Sequence, residues 1–246
     1  MPYYNAAKYI KETVKAIIAQ TYTDWELIIV DDCSSAPETA EVLTMVEAMD
    51  CRIRVLKAKE NGGAGAARNI AIAEAQGRYL SFCDSDDWWY PTKLEEQIRF
   101  MEENNYPFTC TWYEDANENL EPYYTMKQDE KQTYKSMIAG CNVGTPGVMI
   151  DIQVLGKKLM PRLRRAEDWG LWMMYLKDTE YLITYPKALW MYRHVPGSET
   201  SNKWKQMKAV VNMYQQVLNM NVLVSWFICI FIFLPNNIWK KLKKKF

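Results

Sequence analysis

The sequence predicts an α/β fold on a mostly parallel central sheet, and three observations predict it. Short apolar runs alternate with amphipathic stretches of helical length through the first two-thirds of the chain. Acidic residues stand where those runs end, at Asp31-Asp32 and at Asp84. A glycine-rich turn over residues 61–69 opens one of the helices. In sheets of this kind ligands bind beyond the carboxyl ends of the strands. Asp31, Asp32, Asp84 and Asp86 fall at that edge.

Taken in order, Trp25-Glu26-Leu27-Ile28-Ile29-Val30 reads as a buried strand and Arg52-Ile53-Arg54-Val55-Leu56 as a second. Arg78-Tyr79-Leu80-Ser81-Phe82-Cys83 is a third and residues 106–112 a fourth. Helical patterns fill residues 6–20, 36–49, 65–76 and 91–104. A parallel sheet normally opens with its own apolar strand, yet the chain begins Met1-Pro2-Tyr3-Tyr4-Asn5. The expectation is that part of the first strand is missing, with the chain start lying inside a longer reading frame.

After residue 112 the pattern changes. Residues 113–132 are polar and read as loop. Residues 147–150 read as a short strand, 167–176 as a helix, and 181–185 and 188–192 as two short strands. Residues 201–220 are helical, with Trp204, Met207, Val211, Tyr214 and Leu218 on one packing stripe. The expected organisation is one domain over 1–200, in halves 1–112 and 113–200, and a tail over 201–246. In the tail, residues 222–234 are nearly all apolar but too short to span a bilayer, which takes about 20 residues. Trp239 and five lysines between 240 and 245 follow. That combination suits a membrane surface, on the cytoplasmic side. A buried helix with a solvated tail is the plainer alternative.

Composition narrows the function. Lys+Arg and Asp+Glu are both 30, so general nucleic-acid binding has no support. The six cysteines show no CxxC spacing and read as reduced thiols, with Cys83 and Cys110 in the core. There is one histidine, His194.

Asp84-Ser85-Asp86-Asp87 ends a strand and precedes a helix. A leaving nucleoside diphosphate needs its charge offset, and a hard divalent cation held by oxygen ligands does that. Two carboxylates one residue apart can reach a cation and a ribose from one turn; a helix-capping acidic turn is the competing reading. At residues 61–69 small side chains allow close backbone approach, and Arg68 adds a planar cation. The spacing does not match a dinucleotide fingerprint. Glu167-Asp168-Trp169 opens a helix, and sugar transfer needs a base to take the acceptor proton; Asp168 fits that task or a simple N-cap. Arg193 and His194 lie in an expected polar loop that continues through Gly197-Ser198-Glu199-Thr200-Ser201, from which they would close over a diphosphate. A lone histidine is more often structural.

With these segments in this order, together with Pro2-Tyr3-Tyr4-Asn5, Gln20-Thr21-Tyr22, Cys33-Ser34 and Gly77-Arg78-Tyr79-Leu80, the chain resembles the family-2 glycosyltransferases of GT-A fold. The likeness is to bacterial enzymes of the teichuronic-acid, capsule and O-antigen type. The resemblance implies an inverting transfer from a nucleotide sugar, usually UDP-linked, to a saccharide or lipid-linked saccharide, with manganese or magnesium. It implies that Pro2, Tyr4 and Asp32 line the base, and that Arg68 stands near base and phosphates. Asp84 would face the ribose, Asp86 bind the metal and Asp168 act as base; Asp31 and Ser85 would also bind the nucleotide sugar, and Glu167 and Trp169 would contact the diphosphate or acceptor. Residues 1–112 would then be the nucleotide-binding half of the catalytic domain and 113–200 its acceptor-binding half. The chain departs at the leading strand, and Cys33 stands where glycine is common. A non-catalytic nucleotide-sugar binder, inactive through loss of that strand, is the alternative. A sugar nucleotidyltransferase would show a glycine-rich loop with an Arg/Lys pair near the N-terminus, which this chain lacks. Oligomeric state, donor sugar and acceptor are not legible.

Overall fold

The computed structural model describes residues 1–195 and 203–236. In chain order the elements are β1 (Pro2–Tyr3), α1 (Ala7–Ile18), β2 (Leu27–Asp31), α2 (Thr39–Glu47), β3 (Ile53–Lys57), α3 (Ala64–Glu74), β4 (Tyr79–Ser81), β5 (Trp88–Trp89), α4 (Lys93–Asn104) and β6 (Phe108–Ala116). There follow β7 (Pro122–Met126), β8 (Lys131–Gln132), α5 (Tyr134–Ile138), β9 (Met149–Asp151), α6 (Ile152–Leu155), α7 (Glu167–Tyr175), β10 (Leu182–Arg193), α8 (Lys203–Leu218) and α9 (Val222–Ile228), which runs on into a π-helical turn, Cys229–Phe233.

The first half follows its sequence pattern closely. All five residues of β2 are buried, as a strand covered on both faces requires, and its run is accordingly continuous Leu-Ile-Ile-Val. In α1 the apolar residues Ile10, Val14 and Ile17 face inward at helical spacing. Gln20 explains why a polar residue is buried after that helix. Its amide nitrogen donates to the carbonyls of Ala16 and Tyr90, and its oxygen accepts from the Leu94 amide in the first turn of α4. One side chain thus satisfies a helix-end donor and ties α1 to α4.

The leading strand is two residues long, Pro2–Tyr3, paired parallel to Val30 and Asp31 of β2. The sheet corrects the sequence reading in three respects. The strands group as β1-β2-β3, all parallel, and as β4-β9-β6-β10-β5, with β7 on β6 and β8 on β10. In the second group the β6–β10 pair is the only parallel pairing among the described residues, so the whole is mixed rather than mostly parallel. Residues 113–132 are not loop, because β6 continues to Ala116 and turns back as β7. The outer half of β6 is half-buried and β7 is largely exposed, so neither carries a continuous apolar run. The two expected strands 181–185 and 188–192 are one strand, β10, with a register shift between Tyr185 and Ala188. Pro186, which has no N–H to offer the ladder, sits at that irregularity.

Trp172, fully buried, packs edge-on to Phe82 and against Phe108, joining α7 to the sheet. Cys83 and Cys110 are buried in the core as expected, and all six cysteines are free. In α8, Val211 and Tyr214 are buried, whereas Trp204 is exposed and leaves the predicted stripe.

Candidate active site

The acidic loop leaves β4 and is held from below by two other elements. The Asp87 amide donates to the Asp84 carbonyl, closing a tight turn. Thr13, fully buried on the inward face of α1, donates its hydroxyl to the carbonyls of Ser85 (3.1 Å) and Asp87 (2.7 Å). Arg193, the last residue of β10, does more. Its Nε donates to the Asp86 carbonyl (2.7 Å) and its backbone N–H to Asp87 Oδ1 (3.2 Å). Its Nη1 donates to the Glu118 carbonyl and its Nη2 to Glu12 Oε2. With its side chain only 3% exposed, Arg193 braces the loop from below.

This bracing crowds negative charge. Burial and then the neighbouring Asp84 push the Asp86 carboxyl up to about 6. Burial, then Asp84 and Asp86, push Asp87 far above the carboxylate range, and Asp87 Oδ2 has no hydrogen-bond partner. A cation would offset this charge. Among the described residues no three His, Cys, Asp or Glu side chains converge into a complete metal cage. Asp84 and Asp86 are nonetheless a suitable donor set, because magnesium-like cations commonly take one or two carboxylates and draw the rest from phosphates and water.

Asp31 and Asp32 shape the neighbouring turns. Asp31 Oδ1 accepts from the Ser34 amide across Cys33, whose φ of +58° is the left-handed conformation that favours glycine. The two oxygens of Asp32 accept from the Gly62 and Gly63 amides, each at 2.8 Å, and its carbonyl accepts from the Asn61 side chain. Gly63 has φ +84° and starts α3. The clamp brings the glycine turn against the end of β2, with Pro2 paired beside it and Tyr4 52% exposed at the rim.

Arg68, on the first turns of α3, links the two acidic segments. Its buried guanidinium donates from Nη2 to Asp84 and from Nη1 to Glu167 Oε1 at 3.3 Å. Burial opposes its charge, but Asp84, Glu167 and Asp168 outweigh that and hold it firmly protonated. Glu167 reaches Arg68 because Gly65 lies beneath it: a Cβ there would come within 2.7 Å of Glu167 Cγ. Burial and then Asp168 push Glu167 up, against the pull of Arg68. Asp168 Oδ1 accepts from the Trp169 amide (2.7 Å) at the start of α7, and Oδ2 accepts from the Thr145 hydroxyl (2.7 Å).

Two expected contacts lie elsewhere. Trp169 is buried, edge-on to Tyr214 of α8 and tilted against Phe233, so its ring serves the core. The ring of His194 pairs with Asp115 (2.9 Å) and stands edge-on to Tyr192 at 4.8 Å. Residues 196–202, which include the rest of the expected polar loop, lie outside the described residues. Reading the sequence missed Thr13, Glu12 and Thr145, and gave Gly65 only as one small residue of the glycine-rich turn. Only Thr13 left a signal, as a polar residue on the apolar face of α1.

The comparisons with known proteins agree with this geometry. The model of glycosyl transferase family 2 matches residues 1–159. The chain belongs to that family, and it is a glycosyltransferase. It is 36% identical over 243 residues, 98% of this chain and 95% of the relative, to TuaG of Bacillus subtilis, named as a teichuronic acid biosynthesis glycosyltransferase. It is 37% identical over 210 residues to WfgD of Escherichia coli, a UDP-Glc:alpha-D-GlcNAc-diphosphoundecaprenol beta-1,3-glucosyltransferase, covering 85% of this chain and 81% of that one. Among solved structures, residues 1–349 of TarS from S. aureus with UDP superpose with a TM-score of 0.67 at 20% identity, covering 93% of this chain and 68% of that one. The mannosyltransferase PcManGT from Pyrobaculum calidifontis, in complex with GDP-Man and Mn2+, gives 0.66 at 14%, again covering 93% and 68%. The fold is therefore GT-A.

Proposed function

We propose that the chain transfers a sugar from a UDP-sugar to a lipid-linked saccharide during assembly of a bacterial surface polysaccharide. The observation that carries this reading is the Arg68 bridge. One buried cation joins Asp84 at the strand end to Glu167, and so draws the acidic loop and the start of α7 into one site. Asp32 and the glycine turn form the base side, near Pro2 and Tyr4. Asp168 is the base. It takes the proton of the acceptor hydroxyl as that oxygen bonds to the anomeric carbon, while the carbon–oxygen bond to the diphosphate breaks and UDP leaves with the electron pair. Configuration inverts in this single displacement. Manganese or magnesium, carried on Asp86 beside Asp84, would neutralise the departing diphosphate. Thr145 keeps one Asp168 oxygen oriented, and the other is oriented by the helix start. The UDP-Glc donor and diphosphoundecaprenol-linked acceptor of WfgD, and the UDP bound to TarS, support UDP and a diphosphate-lipid acceptor.

The reading extends to the membrane. Among the described residues no helix is long and apolar enough to cross a bilayer. On α9 and the turn after it, Leu223, Phe227 and Phe231 recur every fourth residue and are 80%, 58% and 64% exposed. Cys229 and Phe233 face the body of the protein. This outward stripe suits the lipid interface on the cytoplasmic face, where a lipid-linked acceptor is presented. The lysine cluster that would assist it lies outside the described residues.

Asp168→Asn tests the chemistry. It should keep UDP affinity within about twofold and lower transfer by roughly 10²–10⁴-fold. Full transfer activity in Asp168→Asn would remove Asp168 as base.

A further inference from the structure

A row of aromatic rings leads outward from the support of Asp168. It begins at Trp190 of β10, packed so closely on Gly144 and Gly147 that neither could carry a side chain. Between those glycines stands Thr145, whose hydroxyl donates to Asp168. Tyr113 of β6 stacks on Trp190 with ring centroids 4.4 Å apart, and Tyr192 meets Tyr113 edge-on at 6.5 Å. His194 follows, edge-on to Tyr192 at 4.8 Å, and Tyr123 of β7 then tilts toward His194 at 5.9 Å. Alternate residues of a strand share a face, so Trp190 with Tyr192, and Tyr113 with Asp115, set the row on one face of the β6–β10 pair.

The row passes the acidic loop as it leaves the core. Trp190 is buried, Tyr113 and Tyr192 are half-buried, and Tyr123 is 61% exposed. Burial and then the carboxylates of Asp87, Asp86 and Asp84 push the Tyr192 hydroxyl up to about 12, in keeping with a place beside that loop. Tyr123 owes its position to a bulge. Asp115 stands opposite Tyr124 and Ala116 opposite Pro122, which leaves Tyr123 as the extra residue between them. A bulge re-aims the side chain it carries, and here the ring turns toward His194. Core packing does not account for so large a ring at so exposed a position. His194 is itself held by Asp115 at 2.9 Å. The outer end of the row therefore combines ring faces with a carboxylate, an imidazole and phenols at their edges. A pyranose has the matching character, with C–H faces that stack on rings and hydroxyls around its rim that take hydrogen bonds. A fatty chain would have no use for the polar edges. The nucleotide has its own elements, Asp32 and the glycine turn at the end of β2.

We propose that Tyr123, Tyr192 and His194 form the platform on which the acceptor sugar stacks, with the Asp115–His194 pair holding its hydroxyls at the outer end of a row whose inner end supports Asp168. The proposal rests on the reading of the chain as a transferase acting on a lipid-linked saccharide.

The probes are glucose, galactose and N-acetylglucosamine, each carried on undecyl diphosphate, offered to the full chain with magnesium. His194 is the one histidine of the sequence, so its ring protons give a single identifiable NMR signal. At constant pH that signal should shift when one of the probes joins UDP, and should stay in place with UDP alone. In steady-state transfer from UDP-glucose, UDP-galactose or UDP-N-acetylglucosamine, Tyr123→Ala should raise the acceptor KM at least about tenfold, with kcat within about threefold and UDP affinity within about twofold. Tyr123→Phe, which keeps the ring, should restore the KM. An unchanged KM in Tyr123→Ala, a His194 signal that no probe moves, or one that UDP alone moves, overturns the platform; transfer by the parent would still uphold the transferase reading. A parent that elongates no probe, but whose His194 signal shifts with one, keeps the platform and loses that reading.

Discussion

Asp86 stands in the loop at a charge cost that a cation relieves. Its folded carboxyl is pushed up to about 6 by burial and Asp84, whereas an unfolded aspartate titrates near 3.8. Between those values the folded state holds a proton that the unfolded state has released. Its contribution therefore favours folding at low pH, and that contribution is lost as pH rises toward 6 and beyond. Two outcomes follow. Without divalent cations, Asp86→Asn should melt a few degrees above the parent at pH 7.5 and differ little at pH 4. Added manganese should raise the parent's melting temperature more at pH 7.5 than at pH 5, and should leave Asp86→Asn unmoved. Scanning fluorimetry across pH reads both. Arg193 makes a separate prediction. Lysine is a point donor and cannot span the three acceptors that the guanidinium fork serves, the Asp86 and Glu118 carbonyls and Glu12. Arg193→Lys should therefore weaken manganese-dependent UDP binding at least tenfold while the far-UV circular dichroism stays unchanged. Gly65→Ala should cost about 1–3 kcal/mol in denaturant unfolding, because its methyl group displaces Glu167 from beneath Arg68.

The same contrast between what shows in sequence and what does not separates one element from another. Strand β2 is legible because burial leaves it no choice but apolar residues, and β3 because apolar and polar residues alternate along it. Helices α1 to α4 are legible because one face of each is apolar. The outer half of β6 and all of β7 are not, since half-buried and exposed strands need no apolar run. β10 was divided in two on reading because Pro186 interrupts its pattern, although the strand absorbs it as a bulge. Within the site, Asp84, Asp86, Arg68 and Asp168 stood out by charge at element ends. The supports did not. Thr145 is ordinary in sequence, Gly65 is one of several small residues in its turn, and nothing in the sequence shows that Arg193 is buried. The final helix carries its own prediction. Leu223→Ser, Phe227→Ser and Phe231→Ser together should release the chain from vesicles containing anionic lipid, as measured by co-sedimentation, with UDP binding intact. Equal sedimentation of the triple variant and the parent would remove α9 from membrane attachment.

Across the whole molecule, four separate segments meet at the carboxyl edge of the strands. The end of β2 sets the glycine turn through Asp32, and the loop after β4 presents Asp84 and Asp86. α3 contributes Arg68 as the bridge, and α7 brings Glu167 and Asp168. The loop is only as ordered as its braces from α1 and β10 allow, so fold and chemistry share the same bonds. The account rests on the loop's holding a diphosphate through a cation. Calorimetric titration of UDP into the parent and into Asp86→Ala, each with manganese and with EDTA, measures that directly. The parent should bind UDP at least tenfold more tightly with manganese than with EDTA, and Asp86→Ala should bind equally in both. Equal affinity of the parent in manganese and EDTA, or an unchanged manganese effect in Asp86→Ala, would contradict it.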